Sequence, residues 1–261
     1  FQAERALTKL KYVSFEVGRT GVVTPVANLE PVLLSGTIVK RASLHNADII
    51  RTLDIHEHDM LYVEKGGEII PKITGVDTAQ RESGAAPVEF VTHCPACGTP
   101  LVRIEGEAAR VCPDKYGCTP QIKGRIEHFV GRRMMNIDGI GEEMVNDLCE
   151  KGYLKNCADI YDLTAEQIKI LYVKGDKIAD KILAGIEASK SVPYERVLYA
   201  LSIPYVGETG AKKIARASGN IDRLMAMTED ELMSIEDVGP NIARGIIEFF
   251  ADERNRSIVE R

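Results

Sequence analysis

Long hydrophobic runs and an excess of positive charge are both missing from this 261-residue chain. No apolar stretch approaches the roughly 20 residues of a membrane-spanning helix, so we expect no membrane partner. Lys and Arg number 33 against 39 Asp and Glu, for a formal charge of -6, which excludes a strongly basic protein. Net charge does not describe local patches, so binding of nucleic acid must rest on particular residues.

The chain also lacks an initiator Met and a signal-like apolar segment at its start, Phe1. We therefore expect it to be a portion of a longer protein. Of its six cysteines, Cys149 and Cys157 stand apart from the others. We interpret them as ordinary thiols packed against helices in a reducing compartment, and we expect the cytoplasm.

The other four cysteines form the strongest motif, with the spacing C-x2-C-x14-C-x5-C. Two short turns at this spacing can supply the four thiolates that Zn²⁺ binds in a tetrahedron. Four cysteines leave no open position for water, so we predict a structural zinc site at Cys94, Cys97, Cys112 and Cys118. The alternative is two disulfides of a secreted protein, which paired turns in a chain of this size disfavour.

The segment before these cysteines is rich in β-forming residues and punctuated by Gly, Pro, Asn and Asp. We predict strands at 12–17, 21–26, 32–39, 60–64 and 69–73, with a short helix within 42–53. Five strands with a helix between the third and fourth favour a small closed barrel, the OB-fold, which commonly binds oligonucleotides.

One turn of this barrel, Val17-Gly18-Arg19-Thr20-Gly21, presents two side chains between glycines. Arg19 there could enter a minor groove or bind a phosphate, with Thr20 beside it. The alternative, an exposed arginine on a hairpin, stays open. A linker follows the barrel, and residues 121–133 then carry four basic residues against Glu127 alone, which indicates either a phosphate contact or a solvated helix face.

In the C-terminal half, glycines recur at positions 141, 175, 207 and 239, at intervals of 34, 32 and 32 residues. Each is followed by an apolar helical pattern, which favours helix-hairpin-helix units. Tetratricopeptide repeats have a similar period but a different residue pattern, and an ordinary capped helix turn remains the alternative for any single unit. In a helix-hairpin-helix unit, free amides at a helix N-terminus bind a phosphate. The predicted DNA-binding residues here are Gly139, Gly141, Lys174, Gly175, Gly207, Lys212, Gly239 and Arg244.

The predicted fold is therefore multidomain α+β, with a barrel at 1–77, a linker and four-cysteine zinc finger at 78–120 and a helix-hairpin-helix domain at 121–261. This order resembles the bacterial NAD-dependent DNA ligases over essentially the whole chain. Short segments at 17–21, 24–27, 29–32, 44–48 and 67–71 also carry the resemblance.

The resemblance implies the non-catalytic, DNA-binding part of a ligase that joins 3′-hydroxyl and 5′-phosphate ends in replication and repair. The family's Lys-x-Asp-Gly motif, whose Lys takes AMP from NAD, does not occur in this sequence. We therefore expect this part to be inactive alone, with NAD and Mg²⁺ bound mainly outside it. The implied partners are nicked double-stranded DNA and an adenylation domain, in a monomer associated with the bacterial nucleoid. The alternative is a non-enzymatic, zinc-stapled duplex-binding module that recruits a repair enzyme.

Overall fold

The structure of the protein is a computed structural model that describes residues 4–65, 70–171 and 175–261. The chain divides into two compact units, Phe1–Gln121 and Ile122–Arg261. The predicted barrel and zinc finger both lie in the first unit, and the predicted hairpins lie in the second. Within the described residues, no helix is long and apolar enough to span a membrane.

A closed barrel of five strands forms the first part of unit one, and its neighbouring strands follow the order first, second, third, fifth and fourth along the chain. Burial alternates along the second strand, where Val23, Pro25, Ala27 and Leu29 are buried and the residues between them are half-buried. A short helix between the third and fourth strands completes the predicted OB-fold. The elements are β1 Glu4–Val17, β2 Val23–Leu34, β3 Thr37–Ser43, α1 Ala47–Thr52, β4 Met60–Lys65 and β5 Lys72–Val76.

The predicted strand at 32–39 is wrong, because a hairpin turn lies in its middle. Ser35 and Gly36 have φ angles of 48° and 74° and join β2 to β3. Such angles at both central residues of a two-residue loop match the twist of a hairpin. Apolar residues lie on both sides of this turn, and Leu33 pairs with Ile38 across it. In the sequence, the end of β2 and the start of β3 therefore look like one continuous strand.

Residues that follow the barrel are held along its surface. A short 3-10 turn, Thr78–Gln80, precedes Arg81, whose guanidinium lies 2.9 Å from the buried Asp59 carboxylate. Further on, the Val88 amide donates to the Ile55 carbonyl at 2.9 Å, and Phe90 packs against the barrel core. The segment predicted as a linker is therefore ordered against the barrel.

Unit two is helical and contains two apolar cores. Leu148, Ile168 and Ile182 belong to the first, and Ile214, Leu232 and Ile246 to the second. Each core thus contains residues from the helices of two successive predicted hairpins. The helices are α2 Thr119–Val130, which begins just before this unit, α3 Glu142–Glu150, α4 Ala165–Leu171, α5 Gly175–Ser189, α6 Tyr194–Ala200, α7 Glu208–Ser218, α8 Ile221–Ala226, α9 Glu229–Met233, α10 Pro240–Ala251 and α11 Glu253–Glu260.

Candidate metal centre and nucleic-acid interface

The four predicted zinc ligands converge on one point. Their sulfur atoms all lie within 4.8 Å of one another, with 3.9 Å between Cys94 and Cys118 and 3.5 Å between Cys97 and Cys112. A tetrahedral site with Zn–S bonds of about 2.3 Å has sulfur–sulfur edges of about 3.8 Å. Disulfide bonds, at about 2.05 Å, do not fit these separations. The donor set and its spacing therefore fit a closed, structural zinc site.

Two hydrogen-bonded turns present these sulfurs. In the first turn, the Cys94 amide donates to the Thr99 carbonyl and the Gly98 amide donates to the Cys94 carbonyl, both at 2.8 Å. In the second, the Cys118 amide donates to the Asp114 carbonyl at 3.2 Å. Between the turns lies a two-stranded hairpin of β6, Val102–Arg103, and β7, Arg110–Val111.

Burial keeps two of the four sulfurs protonated in the absence of a nearby positive charge. Burial raises the pKa of Cys112 to about 12 and raises the pKa of Cys118. The hydrogen bond with Thr99 lowers the pKa of the more exposed Cys97 to about 7. Buried thiols of this kind become thiolates only beside a strong positive charge, which a bound Zn²⁺ would supply.

The predicted DNA-contacting turn of the barrel is fixed against the second cysteine turn. The Gly21 amide closes the turn by donating to the Gly18 carbonyl at 2.9 Å, and the Cys112 amide donates to the Gly21 carbonyl at 2.8 Å. Gly21 has a φ of 84°, and a Cβ there would lie 2.6 Å from the Cys112 carbonyl oxygen, so glycine is required. The turn thereby presents Thr20 as an exposed residue and Arg19 as a partly exposed one.

Three of the four predicted hairpin glycines share one geometry. Gly141, Gly207 and Gly239 are the N-caps of α3, α7 and α10, with φ between -84° and -95° and ψ within 3° of ±180°. Each follows a buried apolar residue, and the residue before that one has positive φ: 97° at Gly139, 65° at Tyr205 and 63° at Asp237. The same loop therefore leads into each helix.

These three glycines are not required by the fold. Their backbone angles are open to any residue, and a Cβ built on any of them meets no described atom within 4 Å. None makes a side-chain cap, so the first amides of each helix lack the side-chain acceptor that an N-cap normally supplies. Other helices of the chain are capped in that way, by Asn46, Asn156, Asn220, Thr228 and Asp252.

An uncapped helix N-terminus next to open space has the geometry to bind an anion. Its first amides have no acceptor within the helix, and the helix dipole favours negative charge there. A glycine cap lets a phosphate approach the backbone more closely than any other residue would. Three such sites in one unit match a ligand with repeated phosphates, which is what a nucleic acid backbone offers.

The second predicted hairpin differs from the others. Gly175 is the buried first residue of α5, and a Cβ there would lie 2.7 Å from the Cα of Lys169. Its glycine is therefore explained by packing within the chain. Lys174, the other residue predicted to bind DNA in this hairpin, lies outside the described residues.

Basic side chains accompany two of the matching sites. Lys212 lies on α7, five residues beyond Gly207, and Arg244 lies on α10, five residues beyond Gly239. Lys212 pairs with Glu208 at 3.1 Å, and the guanidinium of Arg244 donates to the side chain of Asn241 at 3.3 Å. Each is more than half exposed, so both cations lie at the surface.

Sequence reasoning missed the role of Glu208. It is the first residue of α7, and its carboxylate pairs with Lys212 and, at 3.3 Å, with Arg133. The hydrogen bond from Lys212, with the charge of Arg133, lowers the pKa of Glu208. The spacing of four between Glu208 and Lys212 signals this pair in the sequence, whereas the approach of Arg133 depends on tertiary structure.

The barrel turn, the four-cysteine centre and the repeated uncapped hairpins together define a zinc-containing class of nucleic-acid-binding fold. Comparison with known proteins narrows this class to a family. Residues 7–85 match the NAD-dependent DNA ligase OB-fold domain, residues 93–119 match the NAD-dependent DNA ligase C4 zinc finger domain, and residues 196–259 match the helix-hairpin-helix motif. Over the part that it spans, the chain carries the domains of the NAD-dependent DNA ligase family.

Curated relatives agree with these matches. The whole chain is 57% identical to a DNA ligase of Bacteroides fragilis, 55% identical to one of Phocaeicola vulgatus and 52% identical to one of Flavobacterium johnsoniae. In each case the alignment covers 39% of the relative's length. The chain therefore corresponds to a minor part of each ligase.

Proposed function

We propose that this chain is the DNA-binding part of an NAD-dependent DNA ligase, which seals nicks in duplex DNA during replication and repair. The enzyme joins a 3′-hydroxyl to a 5′-phosphate through an adenylated intermediate. The observation that carries the DNA-binding role is the set of three glycine N-caps with uncapped amides and open space at Gly141, Gly207 and Gly239. The family assignment supports the reaction.

In this proposal the parts of the chain have distinct roles. The hairpins bind the phosphate backbone beside the nick without reading base sequence. Arg19 and Thr20 approach the minor groove. The zinc centre supports their turn through the hydrogen bond from the Cys112 amide to the Gly21 carbonyl. Gly139, Lys174, Lys212 and Arg244 remain predicted contributors to the hairpin contacts. Gly175, also predicted to bind DNA, is instead explained by its packing against Lys169.

The chemistry belongs to other parts of the enzyme. NAD would supply the AMP, an adenylation domain outside this sequence would carry it, and Mg²⁺ would neutralise charge that develops on phosphate. Nicked duplex DNA and that adenylation domain are the proposed partners. We further propose that the protein acts as a monomer in the cytoplasm, associated with the nucleoid.

Fluorescence anisotropy with nicked and intact duplexes of the same sequence, at two salt concentrations, tests the proposal. Contacts with about 8 phosphates would give a slope of log affinity against log salt of roughly -7. Steep salt dependence with preference for the nick is the expected result. Equal binding to both duplexes would indicate a general duplex-binding module, and no binding at low salt would contradict the role of the hairpins.

A further inference from the structure

A cavity of about 240 Å³ lies beside α1 in unit one. One wall is apolar, with Ile50 and Ile55 from the helix region and Val88 and Phe90 from the segment that follows the barrel. Arg110, on the β6–β7 hairpin, forms part of the other wall. We call this cavity the Arg110 pocket.

Arg110 is the unexplained group in this pocket. Its guanidinium carbon lies 5.3 Å from the centre of the Phe90 ring, and its Nε is buried without a hydrogen-bond partner among the described residues. A buried donor of this kind costs free energy unless something satisfies it. An arginine stacked on an aromatic ring retains its planar set of donors for an external acceptor.

The acidic residues of the pocket already have cationic partners. Asp48 lies 3.1 Å from Arg51 and 2.8 Å from Arg103, as measured between side-chain nitrogen and oxygen atoms. Asp54 lies 3.0 Å from the guanidinium of Arg81 and also accepts from His56. Each carboxylate thus has at least one cationic partner, whereas Arg110 pairs with no carboxylate among the described residues.

We propose that the Arg110 pocket binds a carboxylate carried on a small apolar body. The carboxylate accepts from the Arg110 guanidinium, and the apolar body lies against Val88, Phe90 and Ile55. The cavity has about the volume of eight liquid waters, which suits a single side chain or a small organic acid and excludes a nucleic acid base pair. A free carboxylic acid and the terminal carboxylate of a peptide share this chemistry.

Titration of the isotope-labelled full chain with benzoate, followed by 1H–15N NMR, tests the proposal without any mutation. Benzamide, which has the same shape but no charge, serves as the matched ligand control. We expect benzoate to shift the Val88 amide and the Arg110 side-chain Nε–H signals, with benzamide binding at least about tenfold more weakly, as expected for a charge-assisted hydrogen bond. Equal binding of the two, or tighter binding of the cation benzamidine, would overturn the proposal.

Two variants then test whether Arg110 supplies the positive charge that binds benzoate. Arg110→Gln should weaken benzoate binding about tenfold or more, whereas Arg41→Gln, which removes a barrel arginine outside the pocket wall, should leave it unchanged. Loss in both variants would refute a specific role for Arg110. Acetyl-phenylalanine binding more tightly than benzoate would indicate a peptide terminus as the natural ligand, and the reverse would indicate a free acid. Displacement of benzoate by duplex DNA would instead identify a backbone phosphate site and overturn the proposal.

Discussion

Replacing Gly207 and Gly239 with asparagine separates the contribution of these residues to folding from their contribution to DNA binding. The chain itself provides the template, because Asn220 caps α8 by accepting from the Arg223 amide at 2.9 Å. Both glycines have extended backbone like that of Asn220, and their Cβ positions are open. An asparagine at either site should therefore fold without strain and cap its own helix.

The two expected effects have opposite signs. Asparagine is at least as good an N-cap as glycine, so the free energy of unfolding should stay the same or rise by a few tenths of a kcal/mol. The new side chain occupies the amides that we assign to phosphate and also blocks its approach. A hydrogen bond to a charged group contributes about 1.5–3 kcal/mol, so each replacement should weaken DNA binding about tenfold or more.

The assay pairs urea unfolding with anisotropy on nicked duplex. Asn220→Gly makes the reverse change at a cap that we do not assign to DNA, so it should lower stability by a few tenths of a kcal/mol and leave affinity unchanged. The salt slope of the asparagine variants should change little, since no cationic side chain is removed. A stable double variant that binds DNA as tightly as the native chain would refute the assignment of these amides to phosphate.

Three further predictions test other parts of the structure. Cys112→Ser should release zinc and loosen unit one, as measured by metal analysis and thermal unfolding; unchanged zinc content would contradict the ligand assignment. Glu208→Gln removes an anion that competes with phosphate for its two cationic partners, so affinity for DNA should rise about twofold to fivefold in anisotropy assays, whereas a loss would mean that Glu208 positions those cations. The pKa of His56 is raised, chiefly by its hydrogen bond to the Ala85 carbonyl and also by Asp54. His56 therefore stabilises the fold fully below its unfolded pKa of about 6.5, and this stabilisation is lost as the pH rises through the higher folded pKa. His56→Gln should therefore lower the melting temperature more at acidic than at alkaline pH, and an equal loss at both would refute the linkage.

The zinc site was predictable because its signal is local. Ligand spacing within each turn, such as Cys94 to Cys97, fixes how two sulfurs are presented, and one metal can then join the two turns. By contrast, no sequence pattern indicates that the Cys112 amide donates to the Gly21 carbonyl. That bond joins residues 91 positions apart, and it ties the barrel turn that carries Arg19 to the cysteine centre. The sequence therefore predicted both pieces but not their coupling.

The repeated glycines show that the same residue at equivalent positions can have different structural reasons. Gly141, Gly207 and Gly239 share a loop in which a side chain would meet only open space, whereas a side chain at Gly175 would collide with the backbone of Lys169. The first case indicates selection by something outside the chain, and the second indicates selection by packing inside it. In the sequence both appear as a glycine before an apolar helix, so the period alone assigned them the same role. Only the surroundings of the absent Cβ distinguish a glycine kept for a ligand from one kept for the fold.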